Sequence, residues 1–167
     1  MDSNGAVQKL LSAYSRYYDV STESIEPPFA AEAVFKSHGE QYFLVKEARL
    51  SDIDSNEYVF FCKTETLSQK MLEDFVSAAW ERGLSRIRPY YGHRNSDISL
   101  IIAADTISDD AFNSVKKIKL YKSYKFGFYG WSAFRLLAYE TSTERAVSNR
   151  RGSDLKKLAD LNLSQAG

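Results

Sequence analysis

Residues 98–104 read Ile-Ser-Leu-Ile-Ile-Ala-Ala, an apolar stretch that lacks the alternation of a strand with one wet face. A run of this length and composition is buried on both sides and belongs at the centre of a sheet, commonly beside a parallel neighbour. Flanking strands and covering helices must then come from the rest of the chain. Upstream, Thr66 and Gln69 form a capping box ahead of Leu67, Met71, Leu72, Phe75, Val76 and Ala79, with Gly83 after the last turn, which predicts a helix. Downstream, Ser108 caps a short helix. Asp109 and Asp110 in its first turn and Lys116 and Lys117 in its last suit the helix dipole, and Ile107 is placed to pack on Phe112.

Nearer the amino terminus, Val7, Leu10, Leu11, Tyr14 and Tyr17 follow a helical spacing after a cap at Ser3 or Asn4, predicting an amphipathic helix over about 5–18. A polar loop, Ser21 to Pro28, leads to Ala30–Phe35 and Gln41–Leu50, two strands joined by a turn at Ser37-His38-Gly39-Glu40, and then to a third strand, Tyr58–Lys63. Beyond the central strand and its short helix, Leu120–Phe128 and Ser132–Glu140 form a second pair of strands around the Gly127–Trp131 bend. Arg145–Asn149 adds an edge strand and Ser153–Leu163 a terminal helix. The expected architecture is α+β, a three-strand meander plus further strands in a mixed sheet flanked by helices, in the order αβββαβαββ, over one domain spanning residues 1–167.

Length and composition fit that reading. A chain of 167 residues with 44% hydrophobic and 14% aromatic residues and only three prolines builds a true core. Its single cysteine, Cys62, lies in the apolar run Tyr58-Val-Phe-Phe-Cys, so it is expected to be a buried thiol in a reducing compartment. The first residues carry no secretory pattern and no segment approaches the length of a membrane span, so the expected location is the cytoplasm, with no membrane partner.

Charge is neutral overall and bipolar in detail. Residues 1–114 carry 11 basic and 18 acidic side chains, a net of −7; residues 115–167 carry 11 and 4, a net of +7. The positive part interleaves lysines with aromatics from Lys116 to Trp131. In the strand that starts near Ile118, the even positions Ile118, Leu120, Tyr124, Phe126 and Phe128 are expected to face the core. The odd positions Lys119, Tyr121, Ser123 and Lys125 then face solvent. Such a stripe suits phosphates and stacked bases, and equally suits a solvated edge whose lysines guard against aggregation. Arg150 and Arg151, just ahead of the terminal helix, and Arg88, His93 and Arg94, in the loop before the central strand, are further anion-binding candidates.

Catalytic, cofactor and metal sites are not expected. His93 has no Ser, Cys or acid at a recognisable spacing, His38 lies in a turn, two histidines and one cysteine make no zinc site of the usual kind, and the glycines form no phosphate loop. The order of helix, three strands, helix, strand and helix over roughly residues 5–115 resembles the core of the restriction-endonuclease-like nucleases. That family's third strand carries an acid-x-Lys; here Phe61-Cys62-Lys63 supplies the lysine and puts Phe61 in the acid's place, while Glu47, Glu57 and Glu65 lie near it. The resemblance implies a degenerate relative that retains nucleic-acid contact without cleavage. Two partner classes therefore follow from the residues: a protein, including a second copy of the chain through its opposite charges and through Tyr129 and Trp131, or a nucleic acid or other polyanion held by Lys119, Tyr121, Lys125, Trp131, Arg150 and Arg151.

Overall fold

A computed structural model describes residues 1–35, 56–87 and 95–164. The chain runs α1 (Ser3–Tyr14), β1 (Tyr18–Ser21), β2 (Ala31–Phe35), β3 (Asn56–Leu67), α2 (Gln69–Arg86), β4 (Asn95–Ile107), α3 (Asp109–Val115), β5 (Tyr121–Ser123), β6 (Trp131–Glu140), β7 (Arg145–Ser148) and α4 (Ser153–Leu163). The fold is α+β. Its mixed sheet has the order β1-β2-β3-β4-β6-β5, with β7 paired to the far end of β6. The apolar run lies at the centre: β4 is parallel to β3 on one side and to β6 on the other, and the remaining pairs are antiparallel.

Two helical layers cover the sheet. Phe60 and Cys62 of β3, Ile98, Leu100, Ile102 and Ala104 of β4, and Phe134, Leu136 and Ala138 of β6 face α2 and α3. The alternate positions Val59 and Phe61, Ile101 and Ala103, Leu137 and Tyr139 face α1 and α4. Because both sides are covered, nearly every residue in the middle of β4 is apolar, which is what the sequence run reflects. Each fully buried large side chain contributes about 1.5–3 kcal/mol relative to exposure, so this double layer supplies most of the driving force for folding. Cys62 sits in the α2 side of the core, where burial pushes its thiol pKa up and keeps it protonated.

The helices begin where local chemistry closes their open N–H groups, one or two residues from the sequence expectation. Asp2, rather than Ser3 or Asn4, caps α1 by accepting from the Gly5 N–H at 2.8 Å, while the Ser3 N–H donates to Asp105 at 2.8 Å. Ser68 caps α2, accepting from the Met71 N–H at 3.1 Å. Thr66 belongs to β3, its hydroxyl 3.1 Å from that of Thr106 on β4. Gly83 lies inside α2 instead of ending it, because the helix crosses β4 there and a Cβ at Gly83 would stand 2.6 Å from Ile98. Ser108 caps α3 as the sequence indicates, and α4 has the expected bounds.

Two stretches differ more. Helix α1 stops at Tyr14, and Tyr18–Ser21 forms an edge strand whose Tyr18 lies opposite Phe35, the two rings 5.4 Å apart. The period-2 burial of Tyr18 and Val20, with Tyr17 and Asp19 exposed, overrides the helical spacing that continues through Tyr17 in the sequence. The strand expected over Leu120–Phe128 is cut to Tyr121–Ser123, and Phe126 and Phe128 are exposed rather than core. The expected Gln41–Leu50 strand, the turn with His38, and Glu47 lie outside the described residues.

Candidate functional site: an aromatic edge and a tyrosine pocket

Strand β5 ends early because Lys125 and Phe126 adopt left-handed backbone angles, φ 49° and 56°, followed by Gly127 at 93° and Gly130 at 81°. Left-handed geometry costs a side-chain-bearing residue about 1–2 kcal/mol, and only the glycines adopt it freely. The bend is held by its own hydrogen bonds. Tyr124 N–H donates to the Gly130 carbonyl at 2.9 Å, the Gly127 and Tyr129 N–H groups both donate to the Tyr124 carbonyl, and the Tyr124 hydroxyl lies 2.7 Å from that of Ser132. Tyr124 thus anchors the loop against the core while the residues around it turn outward. Phe126 is 100% exposed, Phe128 71%, Tyr121 51% and Trp131 39%.

The arginine pair meets this edge. Asn149 receives the Leu136 and Gly152 N–H groups at 2.9 Å each and donates to the Ile118 and Phe134 carbonyls at 3.1 and 3.0 Å. One buried amide therefore ties the 150–152 turn to the segment entering β5. The Arg151 guanidinium sits 5.9 Å from the centre of the Tyr121 ring. Ser123, two residues beyond Tyr121, pairs with Trp131, so the structure brings Tyr121, Trp131 and Arg151 to this edge, and Lys119, Lys125 and Arg150, near them in the chain, are exposed. Arg88, His93 and Arg94 lie outside the described residues. Just ahead of them, Arg86 ends α2 and pairs with the buried carboxylate of Glu32.

A second constellation was not visible as a motif. At the amino ends of the parallel strands, on the α1–α4 face, Glu57 of β3, Asp97 and Ser99 of β4 and Arg135 of β6 replace the apolar residues found further along. Glu57 Oε1 accepts from Arg135 Nη1 at 2.7 Å and from the Ser99 hydroxyl at 3.3 Å, and Glu57 Oε2 accepts from the Tyr18 hydroxyl at 2.5 Å. Arg135 Nε donates to the Arg151 carbonyl at 3.3 Å, linking this network to the aromatic edge. Burial is the main reason the Tyr14 and Tyr18 hydroxyls are held far above the usual tyrosine range, with the Glu57 charge adding to it. Asp97 is raised by burial first and by Glu57, against the pull of Arg135. A pocket of about 520 Å³ opens over the network between α1 and α4.

Of the residues that bear on the nuclease resemblance, Glu57 and Lys63 do not meet. Glu57 and Lys63 share a strand face but are separated by six residues, about 20 Å along a strand. Lys63 donates to Asn4 at 2.6 Å, and Phe61 is a core residue, edge-on to Tyr14 at 5.3 Å. Among the described residues no group of three or more His, Cys, Asp or Glu side chains is arranged to hold a metal ion, and no helix is long and apolar enough to cross a membrane.

No curated protein and no solved structure matches the sequence at a significant level. The family model described as "Domain of unknown function (DUF8052)" matches residues 2–161, which takes in both the pocket and the aromatic edge, and the chain belongs to that family.

Proposed function

We propose that the protein is a non-catalytic interaction module that associates with a second copy of itself through the β5–β6 edge. The observation that carries this reading is Phe126: a large apolar side chain, fully exposed, on a residue whose left-handed backbone costs free energy in the isolated chain. Tyr121, Phe128 and Trp131 extend it into an aromatic centre, and Lys119, Lys125, Arg150 and Arg151 form a basic rim, the composition of a protein interface. Charge complementarity supports a second copy as the occupant. The opposite sheet edge, at β1 and the segment after it, exposes Asp19, Glu23 and Glu26, so a head-to-tail contact sets the +7 part of one molecule against the −7 part of the next. The buried thiol of Cys62 fits work in the reducing cytoplasm.

Sedimentation over a concentration series at low and high salt tests the reading. Self-association should appear at low salt, weaken moderately at high salt, and be lost on replacing Lys119 and Lys125 by glutamate, with unchanged circular dichroism. A concentration-independent monomer under all conditions overturns it. The Arg151–Tyr121 stack favours one other reading, binding of a nucleic acid or another polyanion. A gel shift with mixed oligonucleotides separates the two. Polyanion binding loses about 0.7–0.9 in log affinity per log salt for each phosphate neutralised, whereas an interface with an aromatic centre responds less.

A further inference from the structure

The pocket between α1 and α4 contains two hydrogen-bond donors that the protein itself does not use. Tyr14 is 4% exposed, its ring packed on Phe61 and Tyr18, yet its hydroxyl makes no hydrogen bond among the described residues. The ring is buried but the hydroxyl opens onto the pocket, where it is available as a donor to a ligand. Arg135 is mostly buried and fixed through Nη1 and Nε, which leaves Nη2 without a hydrogen bond among the described residues. Both residues line the pocket. The carboxylate beside them is already committed, one Glu57 oxygen to Arg135 and Ser99 and the other to Tyr18. What the site lacks is an acceptor. Its rim carries Lys9, Arg16 and Asp154, so with Arg135 and Glu57 it holds an excess of one positive charge, and Leu155 and Leu158 supply an apolar wall.

We propose that this pocket binds a small molecule carrying an oxyanion, a carboxylate or a phosphate, on an apolar or aromatic body, with the oxyanion received by the Tyr14 hydroxyl and Arg135 Nη2. Burial keeps the Tyr14 phenol protonated, so it acts as a donor. The volume, about 520 Å³, lies in the usual range of small-molecule sites. Arg135 would then be shared between three acceptors: Glu57, the Arg151 backbone and the ligand. The proposal does not rest on self-association, because the Tyr14 hydroxyl and Arg135 Nη2 are not part of the proposed interface.

Titration calorimetry with naphthoate, naphthyl phosphate and the neutral methyl naphthoate tests the proposal. Saturable binding of at least one anion is expected, with the ester at least tenfold weaker; the stronger anion identifies the oxyanion. Tyr14→Phe should weaken that anion about tenfold or more, the usual worth of a hydrogen bond to a charged group, while leaving the melting temperature unchanged because the hydroxyl bonds to nothing in the protein. Leu158→Trp, which fills the pocket from its half-buried wall, should abolish binding. The proposal is overturned if neither anion binds saturably up to millimolar concentration, if the ester binds as well as the acids, or if Tyr14→Phe binds as tightly as the parent.

Discussion

At the β5–β6 edge, tyrosine, phenylalanine and tryptophan rings stand in water beside lysines and arginines. In the α1–α4 pocket, tyrosines and an arginine are packed into the sheet around Glu57. The residue types are similar, but the backbone treats them in opposite ways. In the pocket, regular strands bring Tyr18, Glu57, Ser99 and Arg135 into bonding distance, and every polar atom of Glu57 is used. At the edge, two left-handed residues break the strand and turn Phe126 away from every neighbour. The contrast separates two kinds of site. Stability is invested in the pocket network, where the Glu57 carboxylate has three partners; the edge leaves its apolar area in water.

The largest effect that would sharpen this contrast is expected from Arg135→Met. It leaves the Glu57 carboxylate without its cation and should lower unfolding free energy by about 2 kcal/mol, less than the 3–5 kcal/mol of a fully buried pair because both partners keep some contact with solvent. Converting Glu57 to Gln in the same chain should recover part of the loss in denaturant unfolding. If the single variant is as stable as the parent, the network is a surface decoration and the comparison fails.

A smaller effect is expected in the pH profile. Burial raises the folded-state pKa of Asp97 above its unfolded value, so the native state binds the proton more tightly. The stability this contributes is present below the ordinary aspartate value and is lost as pH rises through the raised folded one. Asp97→Asn should therefore have a flatter stability profile in that window. Glu140, on the other face at the far end of β6, has the opposite sign. Burial pushes it up, but bonds from Thr143, the Ile107 N–H and Arg145 more than offset this and lower its pKa, so its contribution is lost as pH falls. Parallel profiles for Asp97→Asn and Glu140→Gln would contradict the assignment.

The smallest effect on stability is expected at the edge. Phe126→Gly removes no protein contact and relieves a left-handed side chain, so after the glycine entropy cost it should raise stability by about 0.5 kcal/mol. A clear loss instead would show that Phe126 packs somewhere in the monomer.

Sequence reasoning reached elements whose signals are local. The central run gave β4, Ser108 gave the α3 cap, and the expected terminal helix Ser153–Leu163 matches α4 at its bounds. At the basic and aromatic edge, the exposure of Lys119, Tyr121 and Lys125 was legible from alternation, whereas Phe126 and Phe128, expected in the core, are exposed. Elements governed by distant contacts were not legible. Strand β1 exists because Tyr18 pairs with Phe35, and Gly83 continues a helix because Ile98 passes beneath it. Alternation through Phe128 looked like a strand because apolar spacing carries no information about the sign of φ at Lys125 and Phe126. The pocket and the network beneath it were hidden most completely: their members come from α1, α4 and strands β1, β3, β4 and β6, which meet only after folding. The trace left in the sequence was a set of charged or polar residues, Glu57, Asp97, Ser99 and Arg135, at positions whose strand neighbours are apolar.

The central claim, that the exposed aromatic edge is a docking surface, is tested most directly by sedimentation equilibrium on the parent chain and on a Phe126→Ser, Phe128→Ser variant at low salt. The account predicts a weight-average mass that rises with concentration for the parent and stays at the monomer value for the variant, both with the same melting temperature. Equal masses for the two chains at every concentration would contradict it.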